Sequence, residues 1–143
     1  MRILGVDYGD RNVGLALSDA LGITAQPLMT YRLTGRDAED RSFFADLVRK
    51  HGIGEIVLGY PLRMDGSSGT RVEKTRAFAA WLGAFLAVPV RYWDERLTTF
   101  QARGVVHEQG VRPKAKKAVL NQVSAAIILQ GYLDSRRSDA GLP

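Results

Sequence analysis

The stretch "ILGVDYGDRNVGLALSD", Ile3 to Asp19, decides how this chain is read. Two apolar runs, "ILGVD" and "VGLALSD", flank a short segment, "YGDRN", in which Gly9, Asp10 and Asn12 are turn formers. Apolar runs joined by such residues predict a β-hairpin. Asp7 interrupts the pattern, because it sits where a core strand would continue. A buried carboxylate without compensation is expensive. Asp7 is therefore expected at a strand end, paired, or holding a cation.

Outward from the hairpin, "TAQPLMTYRL" (Thr24 to Leu33) predicts a third strand, with Pro27 arguing for an edge or a strand start. The period then changes. Phe43, Phe44, Leu47 and Val48 recur at helical spacing, and Gly52 ends that helix. "EIVLGYP" is a short buried strand, "LRMDGSSGTR" a glycine- and serine-rich loop, and "VEKTRAFAAWLGAFLA" a helix with Phe78, Trp81, Leu82 and Phe85 on its apolar face. "VPVRYWDERL" is a further strand ending in acids. Helices are expected at Thr98–Gln109 and about Ala118–Ser135, and the tail "RRSDAGLP" is expected to fray. Strands separated by helices imply parallel pairing, and the opening hairpin adds antiparallel strands. The expected fold is α/β: a mixed five-stranded sheet with helices on both faces, in one domain over residues 1–135. Sites in such sheets form at the carboxyl ends of strands. Asp7, Tyr60 and the Asp94–Glu95 pair all fall there.

Composition narrows the chemistry. The 143 residues hold no cysteine, which excludes disulfides, thiolate catalysis and cysteine-ligated zinc. Only two histidines are present, so a metal would be held mainly by oxygen, which favours Mg²⁺ or Mn²⁺. The net charge of +5 fits either a soluble protein with surplus lysine and arginine or one with a polyanionic partner such as nucleic acid. No apolar run is long enough to span a membrane. The first residues run straight into a strand pattern without a signal-like segment, so the cytoplasm is the expected location.

Asp7 and Glu95 end strands of one sheet, and a divalent cation would remove their mutual repulsion. Asp94 and Glu95 also precede a helix, where capping by Thr98 or Thr99 is compatible with a metal role. On the last helix, Ala125, Ile128, Leu129, Tyr132 and Leu133 form the buried face, and Asn121 extends it by one turn. From pattern alone Asn121 is either a site residue or a satisfied core asparagine. Arg63 and Arg71 flank the glycine-rich loop, which lacks P-loop spacing; they would reach phosphates or lie on a plain surface loop. "RPKAKK", with Arg112, Lys114, Lys116 and Lys117, is a basic run just before the last helix. It is either a solvated loop or a backbone-binding segment.

The stretches "GVDYGDRNVGLALSD", "IVLGYPLRMDGSSGTR", "DERLTTFQA" and "SAAIILQGYLD" together resemble the YqgF family, also called RuvX. These are Holliday junction resolvases or pre-16S rRNA nucleases with a ribonuclease H-like fold. The match runs nearly end to end. It implies metal-dependent hydrolysis of phosphodiester bonds, with two Mg²⁺ or Mn²⁺ ions about 4 Å apart on the scissile phosphate. It implies Asp7 as the ligand shared by both ions and Glu95 as the second acid. A third acid is expected near the start of the last helix, and here that position is Asn121, which offers only a neutral carbonyl oxygen. Arg96 joins the basic side chains expected to hold the backbone. The implied substrates are structured RNA, in 5′-end maturation of pre-16S rRNA during ribosome biogenesis, and branched DNA. The implied assembly is a monomer or a homodimer, the dimer suiting two symmetric cuts.

Two other classes fit parts of the sequence. "GVDYGDRNVG" also looks like the first phosphate loop of actin-like ATPases, which need two such lobes; nucleotide binding would reveal one. A nucleic-acid-binding module without catalysis is compatible with Asn121, and cleavage assays with Mn²⁺ separate it from the nuclease.

Overall fold

The structure is a computed structural model, and it describes the backbone of residues 1–60, 69–94 and 113–139 and the side chains of 1–60, 69–94 and 119–136. The helix expected at Thr98–Gln109, and Glu95, Arg63, Arg96 and Arg112, lie outside the described residues.

Five strands form one sheet: β1 (Arg2–Tyr8), β2 (Asn12–Ser18), β3 (Ala25–Arg32), β4 (Ile53–Tyr60) and β5 (Val90–Asp94), in the order β3-β2-β1-β4-β5. β1 pairs antiparallel with β2 and parallel with β4, β2 pairs antiparallel with β3, and β4 pairs parallel with β5. The opening stretch is thus a hairpin at the centre of a mixed sheet. β3 is an edge strand, as Pro27 indicates. Pairing slips between Leu15↔Met29 and Ala16↔Pro27, leaving Leu28 as the extra residue beside the proline that cannot donate.

Among the described residues, three helices cover the sheet: α1 (Asp37–His51), α2 (Thr70–Phe85) and α3 (Pro113–Asp139). Alternation along the strands sends Leu4, Val6, Val13, Leu15, Ile56 and Leu58 toward α1 and α2, where they pack with Phe44, Leu47, Phe78 and Leu82. Ile3, Ala16 and Val57 face the other way, against Ala125, Ile128, Leu129 and Leu133 of α3. The sheet is covered on both faces, as its apolar runs require. Phe44 anchors the first layer; it is fully buried and meets Tyr31, Phe78 and Trp81 edge to face. α1 ends at Gly52 in the left-handed conformation (φ 62°), which closes the helix without Cβ strain.

α3 differs from expectation at both ends. It begins at Pro113 rather than near Ala118, so Lys114, Lys116 and Lys117 belong to its first turns and not to a loop before it. Proline at the first helical position loses no internal hydrogen bond, and lysine and alanine are good helix formers. At the far end the helix runs to Asp139, past the boundary expected at 135. Arg136 explains the extension: it pairs with Glu55 at 3.1 Å and lies over the Tyr132 ring. α2 likewise starts at Thr70, two residues earlier than the apolar pattern shows. No described helix is long and apolar enough to cross a membrane.

Candidate active site at the carboxyl rim of the sheet

β1, β4 and β5 are parallel, so their carboxyl ends share one rim, with Asp7 and Tyr8, Tyr60, and Asp94 along it. Asp7 stands opposite Gly14 in the β1–β2 ladder and faces α3. A Cβ on Gly14 would lie 2.0 Å from the Asn121 carbonyl oxygen, and one on Gly5 would lie 2.8 Å from that of Ala125. The two glycines let the α3 backbone rest directly on the hairpin. That contact sets Asn121 over the cross-strand neighbour of Asp7. The Asn121 backbone thus lies against the sheet, and the residue is partly buried.

The Asp7 side chain is only 14% exposed, and Arg71 lies beside it, with Nη2 3.9 Å from Oδ1. The same guanidinium donates to the Tyr8 carbonyl oxygen at 3.4 Å. Lys74, one turn further along α2, pairs with Asp10 at 3.2 Å. The start of α2 thus brings two cations to the β1–β2 turn, one beside Asp7 and one on the exposed Asp10.

Of the residues read from sequence, the structure brings Asp7, Arg71 and Asn121 to one rim. It puts Lys114, Lys116 and Lys117 on the first turns of α3, the helix that carries Asn121. Among the described residues no three histidines, cysteines or acids cluster as metal ligands. Asp7 would offer a carboxylate and Asn121 a neutral side-chain oxygen, and Glu95 directly follows Asp94 in sequence. An all-oxygen set of this kind suits a hard cation such as Mg²⁺ or Mn²⁺.

Two features were not read from sequence. Arg11 and Arg32 flank an open cleft of about 590 Å³ beside the β1–β2 turn, with Thr34 and Asp40 on its other walls. They meet through the pairing of Asn12 with Arg32, a register that sequence spacing does not reveal. Tyr92 is 42% exposed at the same rim and touches Tyr60, with ring centroids 4.9 Å apart. An exposed aromatic inside a strand pattern was the available signal.

The fold aligns with RuvC of Thermus thermophilus, solved in complex with a Holliday junction substrate, at a TM-score of 0.56, with 95% of each chain covered and 15% sequence identity. The strand order and that alignment show a ribonuclease H-like fold. The RuvX family, described as Holliday junction resolvase, matches residues 1–135, and the chain belongs to it. Relatives include proteins named "Putative pre-16S rRNA nuclease". One is from Syntrophus aciditrophicus, 46% identical, with 94% of this chain and 89% of the relative covered. Another is from Halothermothrix orenii, 47% identical, with 94% and 95% covered. The family is one of nucleases.

Proposed function

We propose that this protein hydrolyses phosphodiester bonds in structured nucleic acid with Mg²⁺ or Mn²⁺, acting on the 5′ end of a 16S rRNA precursor in the cytoplasm. The observation that carries this reading is Asp7: a carboxylate, 14% exposed, at the end of the central strand, beneath the helix that bears Asn121. Asp7, Glu95 and Asn121 are the residues that would hold the ions. Two bound ions would supply an activated water and stabilise the leaving oxygen.

The rest falls to the chain's own side chains. Arg71 balances Asp7 before a cation arrives and is placed to take up a phosphate afterwards. Arg63, Arg96, Arg112, Lys114, Lys116 and Lys117 hold the backbone through charge rather than base identity. Asn121 contributes no negative charge, so one ion is held less firmly than with three acids.

The same asparagine favours a second reading, a nucleic-acid-binding module without catalysis. Both are tested by one panel: labelled single-stranded RNA, precursor-like structured RNA, duplex DNA and four-way DNA, each with Mg²⁺, Mn²⁺ or chelator. The nuclease reading expects metal-dependent cleavage of at least one RNA or the four-way junction. Binding without cleavage of any substrate would establish the second reading. Cleavage of four-way DNA alone, by a dimer, would move the substrate from RNA to branched DNA.

A further inference from the structure

At the carboxyl rim two tyrosines and an arginine lie together without an assigned role. Tyr60 ends β4, and Tyr92 lies on β5 one position before the residue paired with Gly59. Their rings meet edge to face, 4.9 Å apart at 67°. The Arg76 guanidinium stands over the Tyr60 ring at 5.6 Å. Tyr92 is 42% exposed, and the other exposed large apolar side chains among the described residues, Met1, Leu21 and Ile23, lie at the opposite end of the sheet.

We propose, resting on the nuclease reading above, that Tyr92, supported by Tyr60 and Arg76, is a stacking site for an unpaired nucleobase of the bound strand. The chemistry suits a base. A tyrosine ring offers a flat apolar face at little cost in side-chain entropy, and base–aromatic stacking tolerates any sequence. A guanidinium against the supporting ring adds positive charge next to the phosphates that flank such a base. A docking protein would need an extended apolar patch, whereas this is one ring among charges.

The placement also suits a strand engaged at Asp7. β1, β4 and β5 are neighbours, so Tyr92 is about 10 Å from the β1 axis. That distance is the span of about three stacked nucleotides. Tyr92 shares the α2 face through its pairing with Leu58, while Asp7 faces α3, so the strand must cross the rim. Arg71, beside Asp7, and Arg76, beside Tyr60, both belong to α2 and mark that crossing with positive charge.

Such a site prefers nucleic acid with unpaired bases, since a base held in a duplex presents no face to the ring. The test is fluorescence anisotropy in chelator, so that nothing is cleaved. It compares wild type, Tyr92→Ala and Tyr92→Phe on a labelled single-stranded RNA and on a blunt-ended RNA duplex of equal length. Tyr92→Ala is expected to weaken single-strand binding by roughly 5- to 100-fold and to leave duplex binding unchanged. Tyr92→Phe is expected to bind as wild type does, because the ring and not the hydroxyl does the stacking. Wild-type affinity of Tyr92→Ala for the single strand, or an equal loss on both ligands, would overturn the stacking site alone. Failure of the wild type to bind either ligand would overturn the stacking site, while the nuclease reading stands or falls on the cleavage panel above.

Discussion

The Asn121 backbone reaches the cross-strand neighbour of Asp7 because Gly5 and Gly14 have no side chains. Gly14→Ala would drive a Cβ to within 2.0 Å of the Asn121 carbonyl, against backbone that has no freedom to swing aside. α3 must lift, at a cost of about 1–3 kcal/mol or more for overpacking. Thermal melting should show that loss, and cleavage should fall with it because Asn121 moves relative to Asp7. A melting temperature equal to wild type would mean the helix does not rest there in solution. Asn121→Asp tests the missing charge. Aspartate is nearly isosteric, so it fits without strain while adding a ligand for a hard cation. Metal titration of cleavage should show tighter Mn²⁺ binding and a faster rate, each tenfold gain being about 1.4 kcal/mol of barrier. Equal rates and equal metal affinity would remove Asn121 from the site. At this scale Asp7 was legible in sequence, because a carboxylate inside an apolar run breaks the rule for strands. Asn121 was only half legible, since a helical stripe cannot say which backbone it presses on; the contact with Gly14 does.

Among the elements, the β3–α1 junction shows how a buried acid serves structure rather than chemistry. Asp40 is 6% exposed and accepts hydrogen bonds from the Tyr31 hydroxyl at 2.7 Å, the Thr34 amide at 3.1 Å and the Thr34 hydroxyl at 2.9 Å. Burial pushes its carboxyl up, but these bonds together outweigh burial and hold it below the ordinary value. Burial first, and then the bond to Asp40, push the Tyr31 hydroxyl up to about 12. A lowered folded value means that Asp40 stabilises the fold above the ordinary carboxylate value near 3.8 and that this is lost as pH falls through the folded one. Asp40→Asn should therefore cost about 1–3 kcal/mol at neutral pH. The gap in melting temperature between wild type and variant should shrink toward pH 2. A gap that is constant across the range would assign the effect to packing instead. Sequence alone offered no sign of this junction, because it joins residues from a strand, a loop and a helix. Element types were legible where a period was clear, as in α1 with its Gly52 stop. The start of α3 was misread because a dense run of lysines reads as a loop, although helix propensity and Pro113 favour helix there.

Over the whole molecule, the charge of +5 was visible from composition, but not where it gathers. The fold supplies that: α2 brings Arg71 and Lys74 to the β1–β2 turn, and the first turns of α3 carry Lys114, Lys116 and Lys117. If those three lysines contact phosphates, replacing all three with alanine should lower the slope of log affinity against log salt by about 2 to 3. An unchanged slope would leave them as solvated helix residues. The sheet order came through in outline, since alternating strands and helices dictate parallel pairing, while register and the rim that register creates did not. Whether Asp7 makes this rim a metal-dependent nuclease site is decided by cleavage of structured RNA and four-way DNA by wild type and Asp7→Asn across a Mg²⁺ and Mn²⁺ titration, with binding measured alongside. Wild type is expected to cleave, and that cleavage to vanish in chelator. None is expected from Asp7→Asn, which still binds the substrate and stays folded, since asparagine keeps the shape of the side chain and removes only its charge. Cleavage by Asp7→Asn at the wild-type rate, or wild-type cleavage undiminished in chelator, would contradict that role for Asp7.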